Sequence, residues 1–404
     1  MAELAPDTTE QTVLSVNVVT TESEFDALKT AWEALTGPDS GYGIFNSWLC
    51  NRTWWRHHAH LGSLAIYVAR QHGTIVGIAP LYQRKTRRFG VLTLDTLLFI
   101  GRGGNTTPDD LDFVVQAENA AQISAQLLDA ILTKKNLQRL YLQDLPAHSV
   151  NLTSLRQLSD TLAQTHHLTR YISETPAISR PVALLADDWP TFLTRKSRNF
   201  RKQVKRRNNR LARTGDARYH RCQTEPEIET AFQALKRLHQ QRWTMKRGQA
   251  SGSFNDDAYL QFHRDFMSEL AQRDQLWLLT LTLDDDIIGV EYGFSHNTQV
   301  SLFQTGFSPA HSQLAPGHLM MCRLISLAIE AGMTEVDLLK GDYEYKQSYA
   351  DTSRFHCDVD IVLSPLPSLL LTVKRYVDSL RSNISVDNNH TADSVNNTSM
   401  RRSG

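Results

Sequence analysis

The stretch FQTGFSPAHSQLAPGHLMMCRLISLAIEAG, residues 303–332, decides the fold. An apolar strand empties through a glycine-containing loop into Pro316-Gly317, and a long run of Leu, Met, Ile and Ala follows as a helix with a wide buried face. Proline at a helix start sacrifices no needed donor, and the first turn offers unpaired backbone N–H groups at the positive end of the dipole. Gly317 puts no Cβ in the way, so a phosphate can approach that turn. The same Pro-Gly start also serves as ordinary helix punctuation, and its neighbours must decide between the two.

Downstream lies DLLKGDYEYKQSYA, residues 337–350, dense in polar groups just past a strand of residues 334–339. Ligands of α/β folds gather at strand carboxyl ends. A carboxylate such as Asp337 or Glu291 can take a proton from an attacking ammonium or hydroxyl, and a phenol such as Tyr343, Tyr345 or Tyr349 can return one to a departing thiolate. A solvated Lys/Asp turn is the alternative for this segment.

Upstream, the order is strand 217–223, helices 225–245 and 255–272, then strands 275–283 and 287–296 joined at Asp284 to Asp286. The first half reads in the same order, with strand 14–19, helices near 25–35 and 46–60, and strands 64–70 and 75–82 around His72-Gly73. An offset of 212 residues lays Leu64 on Leu276, Ile75 on Ile287, Val76 on Ile288, Gly77 on Gly289 and Ile78 on Val290, so duplication is expected. A strand at 91–100 leads into GRGGNTTPDD, helices near 117–135 and 151–164 flank a strand at 139–143, and strands near 168–173 and 178–184 are expected to close the first half. Mixed α/β architecture follows.

Residues 195–214, RKSRNFRKQVKRRNNRLART, carry ten basic side chains and no acid. One face of this helix either grips phosphates of a cofactor, RNA or lipid surface, or is balanced by acids elsewhere in the fold. Over the whole chain, 43 Lys and Arg offset 43 Asp and Glu, so no global field favours nucleic acid or an anionic membrane. Four scattered cysteines without C-x-x-C spacing fit reduced thiols and give no zinc site. No metal is expected: His57, His58 and His60 crowd one helix end without partners at ligand spacing. The chain has no G-x-x-x-x-G-K-[ST], G-x-S-x-G or H-E-x-x-H, which disfavours P-loop, serine-hydrolase and zincin chemistry. Residues 1–13 lack an apolar core and read as disordered, as does the polar tail 383–404, and no run reaches membrane-spanning length, so a cytoplasmic protein is expected. Residues 366–382 form an amphipathic helix that docks on its own domain or on a membrane surface.

Taken together, FNSWLCNRTWW, IVGIAPL, SRNFRKQVKRRNNRL, the QTGF…APGHLM loop and DLLKGDYEYK resemble the GNAT-type acetyltransferases of cellulose and exopolysaccharide biosynthesis, over roughly residues 14–365. The resemblance implies two tandem GNAT-like domains with mixed central sheets flanked by helices, as in the similar Fem-type aminoacyltransferases: residues 14–185 as a substrate platform and 186–365 as the acyltransferase domain. It implies acetyl-CoA or another acyl-CoA as co-substrate, held by Gln304, Thr305, Gly306, Pro316, Gly317, His318 and Leu319. Asp337 is then expected as base, Tyr345 as acid and Lys346 as a charge for substrate or cofactor, with Asp342 and Glu291 beside them. Leu338 stands where the family has an aromatic, Lys340 where it has Arg, and the acid after Asp342 moves to Glu344. The Arg/Gln-x-x-Gly-x-Gly/Ala loop of simple GNAT enzymes is absent. Expected acceptors are an amine or hydroxyl of a sugar, polysaccharide precursor or other small molecule. Expected partners are polysaccharide-biosynthesis proteins, with peripheral contact at the inner face of the membrane through 195–214 and 366–381. The alternatives are aminoacyl transfer from tRNA and a non-enzymatic scaffold of a polysaccharide synthase.

Overall fold

The structure is a computed structural model that describes residues 14–88, 92–165, 171–175, 177–247 and 253–363. The expected disordered N-terminus at 1–13, the helix at 366–382 and the tail at 383–404 lie outside them.

In chain order the first half runs β1 (Leu14–Val19), α1 (Glu22–Ala27), α2 (Lys29–Leu35), α3 (Trp48–His58), β2 (Ser63–Leu64), β3 (Ile66–Gln71), β4 (Thr74–Ala79), β5 (Leu81–Arg88), β6 (Leu92–Phe99), β7 (Val114–Val115), α4 (Ala120–Leu132), β8 (Arg139–Pro146), α5 (Val150–Thr165), β9 (Tyr171–Glu174) and β10 (Ile178–Leu184). The second runs α6 (Trp189–Thr194), α7 (Arg198–Thr214), β11 (Ala217–Arg221), α8 (Glu225–Arg247), α9 (Asp257–Ala271), β12 (Leu276–Leu283), β13 (Asp286–His296), β14 (Gln299–Phe307), α10 (Pro316–Glu330), β15 (Glu335–Asp337), α11 (Glu344–Gln347) and β16 (Thr352–Val362).

The duplication is visible in the hydrogen-bond register. Ala69 pairs with Gly77 and Leu281 with Gly289, the pairing slips just after Ala69 and just after Leu281, and Leu64 faces Tyr82 as Leu276 faces Phe294. All these pairs stand 212 positions apart. The hairpin turns match as well: His72-Gly73 and Asp284-Asp285 all have positive φ, the geometry that suits a tight turn to the twist of its strands. The halves differ where Pro80 interrupts the first hairpin. Because proline cannot donate to a ladder, β4 ends there, and β5 passes from the small sheet β1-β3-β4-β7 into the large one. At the corresponding place β13 runs on, with only a register shift between Tyr292 and Gly293.

Gly77 and Gly289 share a physical reason. A Cβ on Gly77 would come within 2.5 Å of Ile123 on α4, and one on Gly289 within 3.2 Å of Met320 on α10. Each glycine lets the principal helix of its half lie on the sheet. Gly77→Ala is expected to lower unfolding stability by about 1–3 kcal/mol through overpacking, read by chemical denaturation. An unchanged midpoint would refute the close-approach account.

The strand at 178–184 does not close the first half. β10 lies between β15 and β16 in the large sheet, antiparallel to both; β9 pairs further along the same edge of β16, and β8 pairs with the opposite edge. At 11 residues β16 is long enough to take β10 and then β9 along one edge and β8 along the other. Two cores result. One joins the first half to α8, α9 and the adjoining face of β12 and β13, and the other fills the space under α7 and α10.

Candidate active site

β14 and β15 run parallel over three pairs, Gln299 with Glu335, Val300 with Val336 and Ser301 with Asp337, and then part. β14 continues past Ser301 without a partner from β15, so from Leu302 to Gly306 that edge has no neighbouring strand among the described residues. α10 starts beside the end of that edge. Its N-cap, Ala315, is in the left-handed region and supplies no side-chain cap. The amides of His318 and Leu319 turn back onto the Ala315 carbonyl, and Gly317 N–H has no acceptor among the described residues.

A cavity of about 620 Å³ opens at this corner. Its walls come from α7 (Asn199, Phe200, Gln203, Arg207), the strands (Glu291, Thr305, Phe307), the α10 start (Pro316, Gly317, His318, Met321) and the α11 region (Glu344, Tyr345, Ser348, Tyr349). α7 forms because Ser197 caps it, accepting from Phe200 N–H at 3.1 Å, and because Phe200, Val204 and Leu211 make one buried stripe. That stripe rests on α10, with Phe200 edge-on to both His318 and Tyr349.

Glu291 is fully buried and cross-strand to Thr305, whose Oγ1 donates to Oε1 at 3.1 Å. Its Oε2 has no partner, and burial raises its pKa to about 8. Tyr349 and His318 Nδ1 share a short hydrogen bond, and His318 Nε2 lies 3.6 Å from Cys322 Sγ. Burial, and secondarily Arg207, hold the imidazole down to about 4, so it is neutral near pH 7. Burial raises the Tyr349 phenol well above its ordinary value. Arg207 makes no ion pair among the described residues.

Of the expected site residues, the structure brings together Glu291, Thr305, Pro316, Gly317, His318 and Tyr345. It does not bring Asp337 to the cavity. That carboxylate is buried, with Arg180 Nε at 3.0 Å, Gln299 Nε2 donating at 2.8 Å and Leu339 N–H at 2.8 Å. Lys346 is buried too, its Nζ donating to the carbonyls of Leu339 at 3.0 Å and Lys340 at 2.8 Å. Asp342 accepts from Gln347, Gln304 bonds Tyr259, Leu319 is core, and a Cβ on Gly306 would face Leu235 and Leu238 of α8.

The polar density of 337–346 serves the contact between the halves. Lys340 Nζ lies 3.0 Å from Asp144, its backbone N–H donates to Asp109 at 2.6 Å, and Arg180 reaches Asp110 at 2.9 Å. GRGGNTTPDD and DLLKGDYEYK are thus two sides of one buried ion network. Asp109, Asp144 and His356 come within metal-ligand reach of one another, but Arg102 and Lys340 already meet these carboxylates. The sequence reading missed the α7 lining residues and left Tyr349 among three candidate phenols. The buried stripe of α7 was the available signal, since Gln203 and Arg207 flank it.

An internally repeated α/β unit with an open strand edge beside a helix N-terminus defines a tandem GNAT-like fold. Consistent with this, residues 198–347 match the family model described as an acetyltransferase (GNAT) domain. No curated protein matches the chain. Among solved structures, FemX is similar at 13% identity with a TM-score of 0.57, over 88% of this chain and 99% of that one. A conserved protein of unknown function from Bacteroides thetaiotaomicron is similar at 13% identity and TM-score 0.51, over 86% of this chain and 100% of that one. The C-terminal domain of a putative lysylphosphatidylglycerol synthetase from Agrobacterium fabrum is similar at 10% identity and TM-score 0.50, over 88% and 96%. These likenesses concern the fold. No helix among the described residues is long and apolar enough to cross a membrane.

Proposed function

We propose that the chain is an acyl-CoA-dependent acyltransferase, with acetyl-CoA the first donor to test, acting on an amine or hydroxyl of a sugar, polysaccharide precursor or other small acceptor in the cytoplasm. One observation carries the reading: a single cavity is lined both by the uncapped start of α10 and by Glu291, a buried carboxyl whose Oε2 has no partner, beside the edge of β14 that β15 leaves. The residues present fit such a donor. The free Gly317 amide and the Arg207 cation suit a diphosphate, and a Cβ at Gly317 would meet protein only at the Phe307 ring, 3.4 Å away, so that space belongs to the ligand. The donor supplies an activated acyl carbonyl on a thiolate leaving group.

Glu291, once ionised, takes the proton from the acceptor nitrogen or oxygen as the new C–N or C–O bond forms. Backbone N–H groups on the open edge of β14 stabilise the negative charge that develops on the carbonyl oxygen. As the C–S bond breaks, Tyr349 gives its phenolic proton to the sulfur. With Cys322 S–H turned to Nε2, His318 keeps its proton on Nδ1 and donates to Tyr349 Oη, leaving the phenol hydrogen free for the cavity. His318 is therefore a positioning residue. Tyr345, 55% exposed and stacked on Tyr343, lies at the mouth and suits acceptor contact better than acid catalysis. The first half, whose GRGGNTTPDD loop is committed to the ion network, acts as a platform.

Mass spectrometry of the purified protein for retained CoA species, and calorimetry with acetyl-CoA, test the donor. Gly317→Val is expected to weaken donor binding by at least tenfold (about 1.4 kcal/mol) with an unchanged circular dichroism spectrum. Unchanged affinity would remove the donor from this corner. Activity abolished by ribonuclease would select aminoacyl transfer from charged tRNA instead.

A further inference from the structure

α7 carries eight cations, Arg198, Arg201, Lys202, Lys205, Arg206, Arg207, Arg210 and Arg213, and none forms an ion pair among the described residues. Of the two choices left open by the sequence, a face balanced by acids finds no acid paired with it among the described residues. The helix divides its surface three ways. Phe200, Val204 and Leu211 are buried, Gln203 and Arg207 face the cavity, and Lys202, Lys205, Arg206, Arg210 and Arg213 line a separate open groove of about 500 Å³ that contains no acid. At 1.5 Å per residue these five cations form a ridge roughly 16 Å long.

We propose that this outer ridge docks the protein on an anionic phospholipid surface. The inference rests on charge and exposure alone and is independent of the acyl-transfer reading. Such a ridge attracts a bilayer because several cations within a Debye length of the lipid phosphates act together. A lipid surface fits better than RNA for two reasons on the molecule itself. The groove has no aromatic side chain on which a base could stack. The chain is also neutral overall, so a long polyanion following its surface would soon meet acids, whereas a planar surface touches one face. Because the apolar stripe of α7 is already buried against α10, docking is electrostatic, without insertion, and salt reverses it. The cavity mouth lies on the same helix, so docking holds the site beside the lipid surface.

The test is sedimentation of the full chain with vesicles of about three parts phosphatidylcholine to one part phosphatidylglycerol, at roughly 0.05 M salt. The expected result is co-sedimentation that falls about tenfold or more at roughly 0.5 M salt, on pure phosphatidylcholine, and in K202E/R206E/R210E. Should the charge-reversed variant fail to fold, K202Q/R206Q/R210Q is expected to show a smaller loss in the same direction. Equal binding to neutral vesicles, binding unchanged in both variants, or displacement from vesicles by tRNA at matched phosphate would overturn the proposal. Loss of docking with donor affinity retained in calorimetry separates this inference from the function of the cavity.

Discussion

Glu291→Gln is expected to lower kcat/KM by about 10²–10⁴-fold, the usual effect of losing a general base, while leaving the protein folded. The pH profile gives the sharper test. With its pKa raised to about 8 by burial, Glu291 is mostly protonated at neutral pH, so kcat/KM of the wild-type protein should climb as pH rises through about 8. The variant should lack that limb. Stability moves the opposite way. The folded state holds the Glu291 proton more tightly than the unfolded chain, whose carboxyl titrates near 4.5, so this group's contribution falls as pH rises from about 4.5 to about 8 and is constant above. Glu291→Gln, which cannot ionise, should therefore gain stability relative to wild type by an amount on the order of 4 kcal/mol at pH 9, vanishing near pH 4. Thermal denaturation at the two pH values reads this difference. A variant with full activity would show that Glu291 is not the base, and one whose stability margin over wild type is no greater at pH 9 than at pH 4 would show that it is not a buried neutral acid.

The second large effect concerns the ion network between the halves. Arg180 is buried and bridges Asp110 and Asp337, at 2.9 and 3.0 Å, from a strand that sits between β15 and β16. Arg180→Leu removes the cation and leaves two acids near each other in low dielectric, so it is expected to cost about 3–5 kcal/mol in equilibrium denaturation. Burial already raises Asp337 to about 6 against the lowering effect of Arg180, and the variant's Asp337 should be protonated at neutral pH. Asp337→Asn gives the complementary measurement, a loss of stability with turnover per folded molecule retained. Turnover lost at unchanged stability would instead return Asp337 to the chemistry. Together with Glu291→Gln, this separates the two carboxylates that the sequence alone offered as bases.

Much of the chain was legible one residue at a time. The alternation and helical spacing of apolar residues located most strands and helices, though not β5, β7 or α6, because both signals depend only on which face of a local element meets the core. The repeat was legible through Gly77 and Gly289, since a helix that crosses a strand closely excludes a side chain there in both copies. Pro316-Gly317 marked the start of α10 for an equally local reason.

The carboxylates show where local reading stops. Asp337 and Glu291 both stand on strands near the same corner, and nothing in their neighbours along the chain says which one faces the cavity. Only the parting of β14 from β15, together with an arginine 157 positions before Asp337 in the chain, turns one acid into an anchor and leaves the other with a free oxygen. The same holds for 337–346, whose charges look like a ligand site until the GRGGNTTPDD loop, more than two hundred residues earlier, comes to meet them. The sequence by itself determined the elements, the duplication and the helix start, all consequences of short-range sterics and side-chain periodicity. The tertiary structure decided which polar groups are paired and which are left to act, because charge compensation depends on distance in space and not on distance along the chain.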